Sequence, residues 1–199
     1  KGKSALEDYF DSAPELERSL REKGKTDLLK ALEATEVPSG GIAYVRQQEP
    51  LGLGHAVWCA RRLIGDEPFA VILPDDVIEG ETPCLAQMVE AHARSGGAIV
   101  AAMDVPRAAV KSYGVLDPVE DHGGLVEMRG MVEKPDPDVA PSTLAVIGRY
   151  ILPATVMDNL SQMKRGAGGE IQLTDAIAEE ITAGRKAYGF RFAGRRFDC

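Results

Sequence analysis

The chain has 199 residues, of which 44% are apolar and 27% charged, and a net charge of −8. That length is enough for one domain with a sizeable core. The negative balance and the lack of a basic tract argue against a surface for nucleic acid or anionic lipid, and no apolar run approaches the ~20 residues that cross a bilayer.

Ser4 and Glu7 have capping-box spacing, so a helix is expected from Ala5. Pro14 suits the first position of a second helix, closing near Gly24, and Thr26 opens a third with Leu28, Leu29 and Leu32 on one face. "GIAYVR" (41–46) reads as a strand. The glycine loop "QQEPLGLG" follows, then one helix from about Leu53 to Ile64. "FAVIL" (69–73) is a continuous apolar run, as expected of a strand buried on both faces, and it ends at Asp75-Asp76. "CLAQMVEAHARSGG" is an amphipathic helix with a glycine stop, and "AIVAAM" is the next buried strand. This alternation predicts a mainly parallel sheet with helices on both faces. "YGVLDP", "GGLVEMRGMVEKP" and "STLAVIGRYIL" are strand-like runs that suggest a mixed part of the sheet. Helices are expected at about 153–163 and 170–183, and "KAYGFRF" as a last strand. One continuous domain over 1–199 is the simplest organisation.

Three scattered cysteines, Cys59, Cys84 and Cys199, have neither metal-ligand spacing nor a disulfide framework, which predicts a reducing cytoplasm. The chain opens on Lys1-Gly2-Lys3 and closes on "RRFDC", so it reads as an excerpt of a longer polypeptide.

Asp75 and Asp76 fall where ligands bind in an open α/β sheet, and a carboxylate there can hold a hard cation such as Mg²⁺. The plainer alternative is a turn cap. In Glu133-Lys134-Pro135 the proline pushes Lys134 toward an extended backbone, with the two charges on opposite sides. A glutamate can accept from sugar hydroxyls and a lysine can neutralise a phosphate, but two solvated charges at a strand end explain the pair equally well.

Gln47 offers an acceptor and two donors that can match the imide edge of a pyrimidine, and Gly52 and Gly54 would let a base or ribose lie against main chain. The spacing is neither a dinucleotide-binding fingerprint nor a Walker loop. His55 is read as structural or as a ring contact, and Trp58 as core. In "GAGGEIQLTDAI" (166–177), Glu170 falls near a helix start, with Thr174 and Asp175 on the helix surface. Serine and thiol hydrolase patterns are lacking.

Taken in order, "VRQQEPLGLGHAV", "AVILPDD", "YGV", "VEKP", "APSTLAVIGRYIL", "GAGGEIQLTDAI" and "FDC" strongly resemble the bacterial UTP–glucose-1-phosphate uridylyltransferases. These belong to the sugar-phosphate nucleotidyltransferases. The likeness covers nearly all of the chain. It implies a Rossmann-like three-layer α/β/α sandwich with a mixed sheet. It implies Gln47 as the uracil reader and Gly52 as its backbone partner. Gly114 would approach the hexose, Glu133 its hydroxyls and Lys134 its phosphate, with Val146 to Gly148 lining the sugar pocket. Asp75, with Asp198, would hold Mg²⁺, and Asp75 and Lys134 would be the catalytic pair.

The implied reaction makes UDP-glucose and pyrophosphate from UTP and glucose 1-phosphate, in a homo-oligomer (dimer or tetramer). The alternatives are a relative that uses another sugar 1-phosphate or dTTP, and a non-catalytic nucleotide-sugar-binding module. Members of the family open with a strand and a G-x-G-T-R loop and close with a helical tail. Neither is found in this sequence, so this stretch by itself is expected to lack full activity.

Overall fold

The computed structural model describes residues 4–162 and 169–199. The chain divides into two compact units, Lys1–Arg46 and Gln47–Cys199.

The first unit holds α1 (Ser4–Phe10), α2 (Pro14–Glu22) and α3 (Thr26–Glu33). Pro14 takes the first turn of α2, where its missing amide hydrogen has no intrahelical acceptor to lose. Arg21 of α2 reaches Glu33 of α3 at 3.9 Å. The strand expected over 41–46 is not one: these residues form no ladder. A strand's hydrogen bonds come from a neighbouring chain, and no described residue supplies that edge. Ile42, Tyr44 and Val45 stay exposed, and Arg46 ion-pairs with Glu7 at 3.1 Å.

The second unit is a three-layer sandwich. Its strands are β1 (Phe69–Ile72), β3 (Ala98–Asp104), β4 (Gly114–Asp121), β5 (Leu125–Glu133), β6 (Leu144–Leu152) and β7 (Ala187–Arg191), in the order β1-β6-β3-β7-β5-β4. The sheet is mixed, as expected. Four strands, β1, β3, β7 and β4, run one way, and β6 and β5 run the other. Because β6 threads between β1 and β3, and β5 lies beside β7, direct parallel pairing among the described residues is confined to β3–β7.

Period-2 alternation along β3 sorts the two faces. Ile99 and Ala101 meet Cys84, Met88 and Ala91 of α6 (Cys84–Ser95), a stripe at helical spacing. Val100 and Ala102 face α4 (Leu53–Cys59), α7 (Thr155–Gln162) and α8 (Leu173–Thr182) through Val57, Leu160, Leu173 and Ile177. Each such fully buried aliphatic side chain contributes roughly 2 kcal/mol of burial.

The single helix expected over 53–64 is two: α4, and α5 (Arg61–Ile64). Ala60 marks the break. Its amide bonds Val57 O at 3.0 Å, and Arg61 Nη1 takes the Trp58 carbonyl at 3.2 Å, an acceptor that a continuous helix would keep for its own backbone. A two-stranded ribbon of β2 (Asp76–Glu79) and β8 (Arg195–Asp198) stands apart from the main sheet and sets Asp76 opposite Asp198. Four residues apiece, five of the eight charged, carry too little alternation to read as strands beforehand.

Candidate active site

A cavity of about 190 Å³ opens where β1 ends, lined by Asp76, Gly114, Glu133, Val146, Gly148 and Thr174, with Leu53 at its edge. Four of the residues singled out in the sequence, Gly114, Glu133, Val146 and Gly148, therefore share one pocket.

Gly148 has a steric reason to be glycine. A Cβ there would lie 2.6 Å from Asp76 Oδ2 and 2.7 Å from Leu73 Cβ. The bare backbone lets its amide donate to Asp76 Oδ2 at 2.7 Å. Gly114 is similar, since a Cβ would meet Thr174 Cγ2 at 2.9 Å and Glu133 Oε2 at 3.3 Å.

The two neighbouring aspartates have separate fates. Asp76 is 6% exposed and its carboxylate is taken by the Gly148 amide and the Arg196 guanidinium. Arg196 also donates to Tyr113 Oη at 3.2 Å and pairs with Asp198 Oδ2 at 3.1 Å. Arg149 donates to the Leu73 and Gly148 carbonyls at 2.8 and 2.9 Å, so the turn after β1 is stitched to β6. Asp75 is exposed, and no hydrogen bond or ion pair from a described residue falls on its carboxylate. Its carbonyl accepts from the Cys199 amide at 3.0 Å, which keeps the end of β8, and Asp198 with it, beside it.

Among the described residues no group of three or more His, Cys, Asp and Glu is placed to hold a metal. Asp75 and Asp198 still suit Mg²⁺, which takes one or two protein carboxylates and fills its shell with water and phosphate oxygens. Burial, then the negative charges of Glu133, Asp76 and Asp75, push the Tyr150 phenol up, so Tyr150 stays a protonated donor.

Lys134 departs from expectation. It is not extended but lies at φ +46, the one non-glycine residue at positive φ among those described. Its amide donates to Tyr113 O at 3.0 Å, and this bond across the β4–β5 end overrides the preference of a residue before proline. The two side chains thus fall on the same side, with Lys134 Nζ 3.8 Å from Glu133 Oε1.

The glycines of the loop also have an internal explanation. Gly52, at φ +95, caps α4, and a Cβ on it would lie 2.7 Å from Glu170 Cβ and 2.9 Å from Ile171 O. On Gly54 a Cβ would lie 2.7 Å from Ile171 O. Two backbone bonds close this seam, Gly54 N to Ile171 O at 2.9 Å and Ile171 N to Leu51 O at 2.7 Å. What presses on the bare main chain here is the protein's own segment 170–171. Gln47 Nε2 donates to Gly52 O at 3.0 Å and lies 3.1 Å from His55 Nδ1, and the His55 ring stacks on Trp58. The His55 ring is thus held in place by Gln47 and Trp58.

Of the stretch 166–177, residues 166–168 lie outside the described residues. Thr174 is not on the helix surface. It is 8% exposed, because the first turn of α8 is laid against β5 and faces the pocket. Sequence reading missed Thr174 and Arg196 as site residues. Their partners lie 41 and 120 positions away, and only the fold joins them.

The Nucleotidyl transferase family profile matches residues 13–196. The UTP–glucose-1-phosphate uridylyltransferase of Komagataeibacter xylinus is 50% identical over all 199 residues, which span 70% of that protein. The one from Bacillus subtilis is 46% identical and is spanned to 67%. A crystal structure of apo UDP-glucose pyrophosphorylase superposes with a TM-score of 0.89 at 40% identity, covering all of this chain and 73% of the other. A second, complexed with UDP-glucose, gives 0.83 at 39% identity, covering all of this chain and 72% of the other. The chain belongs to the UTP–glucose-1-phosphate uridylyltransferase family of nucleotidyl transferases.

Proposed function

We propose that the pocket seats glucose 1-phosphate, that the start of α4 reads the uracil of UTP, and that the enzyme makes UDP-glucose and pyrophosphate. A phosphate oxygen of glucose 1-phosphate attacks the α-phosphorus of UTP. The bond from that phosphorus to the oxygen bridging the α- and β-phosphates breaks, and pyrophosphate leaves with the electron pair. The attacking oxygen is already anionic, so no general base is needed. What is needed is alignment of two repelling anions and neutralisation of the charge that builds at phosphorus.

The observation that carries this reading is the shared cavity of Gly114, Glu133 and Gly148 in a member of this family. Glu133 accepts from sugar hydroxyls, Lys134 screens the incoming phosphate, and Val146 walls the apolar side. Asp75, together with Asp198, is the proposed seat of Mg²⁺, which would neutralise phosphate oxygens when bound. In the purified natural gene product, Asp75→Ala should lower pyrophosphate release by at least about 100-fold and abolish the Mg²⁺ dependence of UTP binding in calorimetry. Turnover within a few-fold of wild type would remove Asp75 from the metal site.

With both donors of Gln47 directed at Gly52 and His55, its Oε1 is left to accept from N3–H of uracil. Cytosine has no hydrogen at N3, whereas thymine keeps it. Gln47→Ala should therefore cut the preference for UTP over CTP by about tenfold and leave the preference over dTTP nearly intact, as read from kcat/KM ratios. An unchanged UTP/CTP ratio would take Gln47 out of the base site.

Cys59, Cys84 and Cys199 are free thiols, which supports a cytoplasmic setting. A homo-oligomer, dimer or tetramer, is the assembly that we propose. Light scattering of the natural gene product measures its assembly.

A further inference from the structure

Glu133 ends β5 opposite Gly114, and its side chain is 15% exposed. A glutamate has three rotatable side-chain bonds, so its position in the strand does not by itself aim the carboxylate. One oxygen, Oε1, lies 3.8 Å from Lys134 Nζ. The other, Oε2, receives the hydroxyl of Thr174 at 3.1 Å. Thr174 is the second residue of α8 and buried. A carboxylate only accepts, so the threonine proton must be the one spent in this bond. As a β-branched residue Thr174 is stiff about χ1, and its methyl fills the space left free by Gly114.

We propose that Thr174 is a positioning residue. It pins Oε2 of Glu133 and so presents Oε1 to the hexose, which makes the first turn of α8 a determinant of sugar recognition. This rests on the sugar-phosphate role proposed for Glu133.

The test is Thr174→Val, which keeps the shape and deletes the donor, beside Thr174→Ser and Glu133→Gln in the natural gene product. Thr174→Val should raise KM for glucose 1-phosphate about tenfold and lower the preference for it over galactose 1-phosphate, with KM for UTP within about twofold. Thr174→Ser, which restores the donor, should bring both quantities most of the way back. If Thr174→Val leaves KM for the sugar phosphate within twofold of wild type while Glu133→Gln raises it, the positioning role is wrong and the pocket assignment stands. If Glu133→Gln also leaves it unchanged, the pocket assignment fails, and the role of Thr174 with it. A rise in both KM values together, unrestored by serine, would mark Thr174 as merely structural and overturn the proposal.

Discussion

Replacing Glu180 with alanine is expected to lower the melting temperature by about 6–12 °C, the equivalent of about 3 kcal/mol in a chain of this size. Glu180 falls in the core-facing stripe of α8 with Leu173, Ala176 and Ile177, and it is fully buried. Its carboxylate is saturated. Thr155 Oγ1 donates at 2.7 Å, Asn159 Nδ2 at 2.6 Å, and Arg185 through Nε and Nη2 at 2.6 and 2.7 Å. Alanine would empty this fully buried site and leave one donor of the half-buried Asn159 without its acceptor, while Thr155, which is exposed, can turn to water. Arg185 is 42% exposed and can turn to water, so its share of the loss is small, and Asn159 keeps a bond to Ala176 O.

The same group sets an acid limit. Burial alone would push the Glu180 carboxyl up, but the hydrogen bonds from Arg185 and Thr155 outweigh it, so it lies below its ordinary 4.5. A depressed carboxyl adds stability above its unfolded pKa and loses it as pH falls through the folded one. Calorimetric scans should thus show wild type losing stability on acidification below about pH 4.5, and Glu180→Ala losing less of it there. A variant that melts within about 2 °C of wild type at neutral pH would mean that the network contributes nothing net.

Lys134 should answer two substitutions with opposite signs. Lys134→Gly is expected to reduce kcat/KM for glucose 1-phosphate about 100-fold, the loss typical of a charge-assisted phosphate contact, and to raise the melting temperature by about 1–4 °C. Positive φ costs a residue with a Cβ roughly 1–2 kcal/mol, and glycine escapes that. Glycine's extra freedom in the unfolded chain returns about 0.5–1 kcal/mol, so the net gain is modest. Lys134→Ala keeps the Cβ and should lose the activity without the thermal gain. If alanine and glycine melt together, the left-handed backbone stores no strain. If both retain sugar-phosphate turnover, Lys134 does not meet the phosphate.

Much of this was legible beforehand where local pattern and burial agree. The unbroken apolar run of β3 over Ala98–Met103, the stripe of α6 and the acid after β1 each carry their structure in a few adjacent letters. What escaped is what depends on a distant partner. The segment 41–46 has the letters of a strand but no described neighbour to pair with. The ribbon of β2 and β8 exists because two short charged pieces meet. Lys134 obeys a bond to Tyr113 rather than the proline beside it. The glycines at 52 and 54 did signal a close approach of main chain, but the partner is segment 170–171.

That seam has a mechanical meaning. It fastens the turn proposed to read the nucleobase directly to the residues leading into α8, whose first turn touches Glu133. The two halves of the cleft are therefore hinged together rather than free to adjust independently. A side chain grown on Gly52 would act as a wedge, felt by both ligands at once.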